Sequence, residues 1–349
     1  MRLTALVPVA LVGLALAPSA VADPGDDDVA TDGAGTDDTC PAGDLGSVEG
    51  AVLRFTSDGS RVFFVAQGND GVARIGVLDA SGTSTTLAAE AAATNAPLAA
   101  VEGGVATAVG QDEIRFWNTT GRASAVERAA TDGAVAEPYA DANGLLHWYE
   151  YDRRYGTSFW VWNGSSVTST DAPSNFEGGS FVTDGRSYFG AFSAPDGRHA
   201  IGKLATSGDH EVVFATVHRA GAPFAFAGMD ADDVYYVLQT DDGVVRFAGS
   251  ERSTGATTDY GAKLGLDATR PLVVRDGFVY VAGASAQDPT AAITRFDLAT
   301  DVASTVASGP LASGAVVTGP LVADACGIVY AVRRSQGGAI TTDFVRIAP

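Results

Sequence analysis

The sequence predicts an all-β fold, a seven-bladed β-propeller of four-stranded antiparallel sheets closed by an N-terminal strand that completes the last blade. Three observations predict it. Seven times a short apolar run meets a turn pair, most often an acidic or Asn residue with Gly, and becomes a second apolar run. The pairs are Asp58-Gly59, Glu102-Gly103, Asn143-Gly144, Asp184-Gly185, Asp232-Asp233, Asp276-Gly277 and Cys326-Gly327. Their second residues lie 44, 41, 41, 48, 44 and 50 apart, a period in the forties with strand-like filling that marks propeller blades rather than helical repeats. Residues 41–349 number 309, about 44 per blade, so seven blades use the chain with no second domain.

Residues 1–22 read as a secretory signal peptide outside the fold. Arg2 opens it, Leu6 to Ala17 are apolar, and Ala20-Val21-Ala22 precedes Asp23 as a cleavage signal. The apolar run is too short to span a bilayer. The expected product is secreted or periplasmic, without membrane insertion. Residues 23–39 follow as an acidic tether with seven Asp and little that is apolar except Val29. Such a stretch buries too little surface to offset its ordering entropy and is expected to be a disordered linker. Its Asp clusters lack the spacing and closing Glu of a calcium loop. The propeller then occupies 40–349.

The formal net charge is −20, and removing the seven Asp of the tether and the Arg of the leader leaves −14 for the propeller. Lys203 and Lys263 are the only lysines and no basic stripe exists, which excludes nucleic acid as a partner. The charge suits a soluble exported protein, expected to be a monomer.

Blade one shows the grammar of the repeat. Ala51 to Phe55, Arg61 to Ala66, Val72 to Leu78 and Thr83 to Leu87 are apolar or β-branched runs separated by turn-forming residues, hence four strands. Ala88 to Ala93 is expected to be the frayed end of the fourth, with at most one helical turn. Three residues past the first turn stand His147, Tyr188, Tyr236, Tyr280 and Tyr330 in successive blades, rings placed to wedge between sheets. In the third strands a basic residue precedes an apolar one at Arg74-Ile75, Arg115-Phe116, Lys203-Leu204, Arg246-Phe247, Arg295-Phe296 and Arg346-Ile347. Alternation puts the basic residues on a wet face and their neighbours in the core.

The last strand, Phe344 to Ala348, stands where a third strand belongs, so blade seven needs an outer strand. Asp44 to Val48 is the expected donor, which would also remove exposed edges. The two cysteines, Cys40 beside that donor and Cys326 in the first turn of blade seven, are expected to form a disulfide.

The run Phe55-Thr56-Ser57-Asp58-Gly59-Ser60-Arg61-Val62-Phe63-Phe64-Val65, with Ala73-Arg74-Ile75-Gly76-Val77-Leu78-Asp79, resembles the repeat of TolB-type propellers. Blade six, from Gly277-Phe278-Val279-Tyr280-Val281 to Ile293-Thr294-Arg295-Phe296-Asp297-Leu298, is similar to YVTN-type surface propellers. The resemblance implies the fold superfamily and, by analogy, protein-binding or scaffold roles. Tryptophan-aspartate, kelch and sialidase signatures are absent.

No catalytic constellation is legible. The four histidines lack metal-ligand spacing, and no nucleophile elbow, phosphate loop or H-E-x-x-H occurs, so no cofactor or metal is expected. The candidate site is therefore geometric: loops between second and third strands gather at one end of a propeller. Blade three carries the densest aromatic and charged cluster there. Tyr149, Tyr151, Asp152, Arg153 and Tyr155 of blade three, with Asp196 of blade four, are the candidate ligand-binding residues. Tyr151, Arg153 and Tyr155 are expected to be exposed. The favoured function is an exported, non-catalytic binding or scaffold propeller recognising a protein or glycan partner. The alternative is a hydrolase or lyase acting on an extracellular glycan with paired channel carboxylates.

Overall fold

Apolar runs alternate with Asp-, Asn- and Gly-rich turns, and each group of four pairs into one antiparallel sheet. The computed structural model describes residues 40, 42–89, 97–110, 112–128, 133–141, 143–153, 156–194, 196–205, 211–217, 224–240, 242–283, 292–307 and 315–348. Strand β1 (Gly43–Glu49) comes first. Blade one is β2 (Ala51–Ser57), β3 (Val62–Gln67), β4 (Ala73–Leu78) and β5 (Ser84–Ala88). Blade two is β6 (Ala99–Val101), β7 (Gly104–Val109), β8 (Glu113–Asn118) and β9 (Ala123–Arg128). Blade three is β10 (Gly133–Ala140), β11 (Leu146–Asp152), β12 (Gly156–Trp162) and β13 (Val167–Asp171). Blade four is β14 (Phe176–Thr183), β15 (Tyr188–Ser193), β16 (His199–Lys203) and β17 (Val212–Val217). Blade five is β18 (Phe224–Met229), β19 (Asp233–Gln239), β20 (Val245–Glu251) and β21 (Thr257–Asp259), followed by the short helix α1 (Tyr260–Leu264). Blade six is β22 (Leu272–Arg275), β23 (Phe278–Ala282), β24 (Ile293–Asp297) and β25 (Ala303–Ala307). Blade seven is β26 (Val316–Asp324), β27 (Gly327–Gln336) and β28 (Ala339–Ile347).

All seven sheets have four strands, and β1 supplies the outer strand of the last in the order β1-β28-β27-β26. Its register runs from Gly43 opposite Arg346 to Glu49 opposite Thr341, with a bulge between Asp44 and Gly46. The ring is thus closed by the two ends of the propeller, as the missing outer strand required. Cys40 and Cys326 are joined by a disulfide that pins the start of this closing segment to the first turn of blade seven. Of the Ala-rich stretch after blade one, Ala88 ends β5, while 90–96 lie outside the described residues.

The core is divided among the junctions between blades. Phe55, Phe64 and Phe344 pack where blade one meets blade seven. Phe159, Phe181 and Tyr188 fill the junction of blades three and four, with Phe159 and Tyr188 stacked at 4.3 Å. The rings at the recurrent second-strand position are buried: His147, Tyr188, Tyr236, Tyr280 and Tyr330 are all under one-tenth exposed. Tyr236 also exchanges a hydrogen bond with Ser250 at 3.0 Å. They are wedges, as the register predicts.

One member of the basic series departs from the alternation. Arg74, Arg115, Lys203, Arg246 and Arg295 are partly or fully open to solvent, but Arg346 is buried. It donates to Asp324 Oδ2 at 2.6 Å and to Ser57 Oγ at 3.2 Å, while Arg275 caps the carbonyls of Asp324 and Ala325. Closure explains the difference, because Ser57 of blade one and Asp324 of blade seven meet over this residue and exclude water. Asn118 and Asn163 serve their own turns, each side chain accepting nearby backbone N–H groups.

Candidate functional site

Turns between second and third strands gather at one end of the ring, and blade three brings Tyr151, Asp152 and Arg153 there. Tyr151 is 50% exposed and Arg153 is exposed, as expected, while Asp152 is half-buried. Tyr155 lies outside the described residues. Tyr149 is half-buried: its ring meets Phe176 edge-on at 5.4 Å, and its hydroxyl accepts the Gly179 N–H at 3.1 Å. Alternation puts both rings on one face of β11, and cover splits them: Phe176 and Phe181 of blade four pack on Tyr149, while Tyr151, paired with Ala134 and Thr157 near the end of the sheet, stays half exposed. Gly178 (φ +77°) sits so close that a Cβ there would lie 3.3 Å from the Tyr149 hydroxyl. Only glycine combines that conformation with that approach.

Asp196 belongs to the equivalent turn of blade four, exposed and bound to Arg198 through Nε at 2.6 Å. The Arg198 guanidinium and backbone N–H hold its carboxyl below the ordinary range. It does turn work beside the cluster. The remaining blade-three rings are wedges, Trp148 being buried and stacked on Trp160 at 6.3 Å.

Two charged residues that the sequence reading passed over stand in the inner strands. Arg54 on β2 and Glu137 on β10 are both half-buried, and each feels the charge of the other. Burial lifts the Glu137 carboxyl above its ordinary value and Arg54 only partly opposes this. Burial likewise lowers the Arg54 guanidinium, against the pull of Glu137. Burial, with the Glu137 charge adding to it, raises the Tyr149 hydroxyl. Glu137 has φ +52° within a bulge between Ala136 and Tyr139. That left-handed conformation costs a residue with a Cβ on the order of 1–2 kcal/mol, and such strain clusters at functional sites. The legible signal was an ionic residue inside each of two otherwise apolar inner strands.

A second inner-strand carboxylate, Glu177 on β14, is already engaged. Ser193 donates to it at 2.7 Å and His199 Nδ1 binds the same oxygen. Ser, His and Glu are thus together, but the carboxylate lies between the other two, so His199 is not placed to take the Ser193 proton.

A cavity of about 460 Å³ opens at the opposite end, among the first-to-second-strand turns of blades one, two, three and seven. Its carboxylates hold the turns. Asp58 accepts from the Arg61 backbone and guanidinium at 2.7 and 2.8 Å, and Asp324 binds Ser57, Arg346 and the Cys326 N–H. Asp141 meets His147 Nε2 at 3.0 Å and accepts the N–H groups of Asn143 and Leu145. Burial would lift Asp141, but these bonds outweigh it and hold its carboxyl below the ordinary value. Glu102 is the exposed exception. Among the described residues no group of three or more His, Cys, Asp or Glu is arranged to hold a metal, and no helix is long and apolar enough to cross a membrane.

With this geometry in view, likeness to known proteins is informative about the fold. The chain matches no protein-family model and no curated protein. Solved structures do match. An oligogalacturonate lyase in complex with manganese superposes with a TM-score of 0.52 at 12% identity, over 86% of this chain and 90% of that one. A puromycin hydrolase gives 0.51 at 13% identity, over 87% of this chain and 54% of its own. A puromycin-hydrolyzing peptidase of Mycobacterium tuberculosis gives 0.52 at 12%, again over 87% and 54%. The chain spans about half the length of these two hydrolases. The likeness shows the propeller fold alone.

Proposed function

We propose that this chain is an exported binding propeller that recognises a glycan at the end of the ring where second strands turn into third strands, on blade three. The observation that carries this reading is the exposed Tyr151 ring beside Arg153, an apolar face flanked by a donor where a sugar can stack and bond. A glycan is favoured over a protein partner by size. Among the described residues the exposed large apolar side chains are Tyr151 and five valines spread over several blades. A stable protein interface needs roughly 800 Å² per partner with a packed centre, and such scattered residues do not provide one. Export fits the leader-like first 22 residues and the disulfide, which forms in oxidising compartments. The Ser57-Asp58-Gly59 turn motif and its flanking strands support kinship with TolB- and YVTN-type propellers.

The hydrolase or lyase reading calls for two available channel carboxylates from different blades. Glu177 is committed to Ser193 and His199, which leaves Glu137 without a second carboxylate of that kind among the described inner strands and favours binding. The test is a titration of the wild type and Tyr151→Ala against a panel of neutral glycans. The variant should lose binding while its stability stays within about 0.5 kcal/mol, as for most exposed positions. Undiminished binding by the folded variant would move the site off blade three.

A further inference from the structure

A second cavity, of about 410 Å³, lies where blade seven meets blade one, beside β1 and the outer strands β4 and β5. That volume falls within the roughly 300–1,000 Å³ of small-ligand sites. The closing strand touches blade one on both sides of it. Towards the first-turn end, Gly46 (φ +124°) lies so close that a Cβ would stand 3.0 Å from the Gly82 Cα. Towards the other end Asn69 ties the blades together, donating to Glu49 Oε1 at 2.9 Å and accepting the Ile340 N–H at 3.1 Å. Between these contacts Phe64, Gly76 and Thr86 stand opposite one another across β3, β4 and β5. At Gly76 a Cβ would strike the Phe64 ring at 2.4 Å, so the ring lies over the bare sheet and leaves a hollow beside it. Ser84 and Thr86 line that hollow from an exposed strand, and among the described residues neither hydroxyl has a hydrogen-bond partner. The same holds for Glu49 Oε2, whereas Arg74 and Asp70 at the rim satisfy each other.

We propose that this hollow is a second, weaker sugar subsite, so that the ligand is a neutral oligosaccharide long enough to reach from Tyr151 to the junction of blades one and seven. The inference rests on the glycan-binding reading and names its ligand class. Both places belong to one end of the ring, because Asn69 and Asp70 stand in the turn from β3 to β4 just as Arg153 stands between β11 and β12. Glu49 Oε2 is an acceptor, and the Ser84 and Thr86 hydroxyls donate or accept, which suits the hydroxyls of a sugar. Val48 and Phe64 form the apolar wall for its C–H face. Asn69 holds the Glu49 carboxylate in place beforehand, so little further ordering is needed. With Asp70 matched by Arg74, Glu49 leaves the hollow negative and disfavours an anionic sugar. Phe64 is only 5% exposed and offers no stacking face. A single sugar is therefore held weakly, and the hollow contributes through effective concentration once the chain is anchored at Tyr151.

Two variants test this on the exposed β5. Thr86→Phe fills the hollow, and Ser84→Ala with Thr86→Val removes its hydroxyls. Both are titrated beside the wild type with neutral glucan, mannan and galactan oligomers, from the disaccharide to about the octasaccharide, and their melting temperatures are measured. From the short to the long members of the series it binds, the wild type should gain at least about tenfold in affinity. Each variant should match the wild type on the short members and lose that gain, while Tyr151→Ala loses the short members. No gain with length in the wild type, or a gain that both variants keep, overturns the subsite and leaves the blade-three reading standing. A fall of several degrees in melting temperature in both variants identifies a packing surface instead and also overturns it. A wild type that binds neither short nor long oligomers overturns both readings.

Discussion

Arg346 and Asp324 show at single-residue scale how closure is secured. Each side chain is 1% exposed, and the Arg346 Nε has no hydrogen-bond partner. Removing one member strands the other charge, so Asp324→Ala should cost about 3–5 kcal/mol in denaturant unfolding. Replacing both, as Asp324→Leu with Arg346→Met, should cost less, and an equal or larger loss would show that the pair holds more than its own charges. The alternating pattern placed Arg346 on the wet face, because its cover comes from Ser57, 289 residues away, and no local period reports that contact. Glu137 supplies a pH signature. Its folded-state value is raised, so the stability it confers is complete below its unfolded value of about 4.3 and is lost as pH rises through the folded value. The melting temperature of Glu137→Gln should therefore match the wild type near about pH 4 and exceed it at neutral pH. A deficit at neutral pH would mean that Arg54 outweighs burial.

At the scale of elements, β1 and the disulfide act on the same weak point, the open edge of β28. The bridge closes a loop of 286 residues in sequence separation, worth on the order of 5 kcal/mol in the chain-entropy account. The oxidised protein should show no free thiol, and reduction should lower its melting temperature by several degrees. No change on reduction would mean that β1 holds without its pin. Deleting residues 43–49 should leave β28 unpaired and the protein prone to edge-to-edge association, read as a concentration-dependent rise in size by light scattering. The wedge rings and the closing strand were legible because each follows from a fixed register: a ring three residues past a turn, and a last blade one strand short. The inner-strand bulges were not, since the space around the channel decides them rather than local propensity. Helix α1 also escaped notice, although Asp259 caps its start through the Ala262 N–H at 2.9 Å and Gly265 ends it at φ +66°.

At the scale of the molecule, the two ends of the ring have different chemistry. One end is a bowl of turns whose Asp58, Asp141 and Asp324 carboxylates are bound by their own hairpins and by Arg61, His147 and Arg346. The other presents Tyr151 and Arg153 to solvent. The seven repeats made the ring and the place of its ends legible, and they put Tyr151 and Arg153 at the turn between second and third strands, where the structure has them. Which rings of blade three remain outside depended on packing against Phe176 and Phe181 of the next blade, a contact no period encodes. Amide hydrogen exchange of the wild type, with and without the tightest-binding neutral glycan of the panel, tests the division between the ends most directly. Protection should appear in residues 146–153 and 176–179 and leave the turns at 58–61, 102–103 and 324–326 unchanged. Protection confined to those turns, or none anywhere, would contradict recognition at the blade-three end.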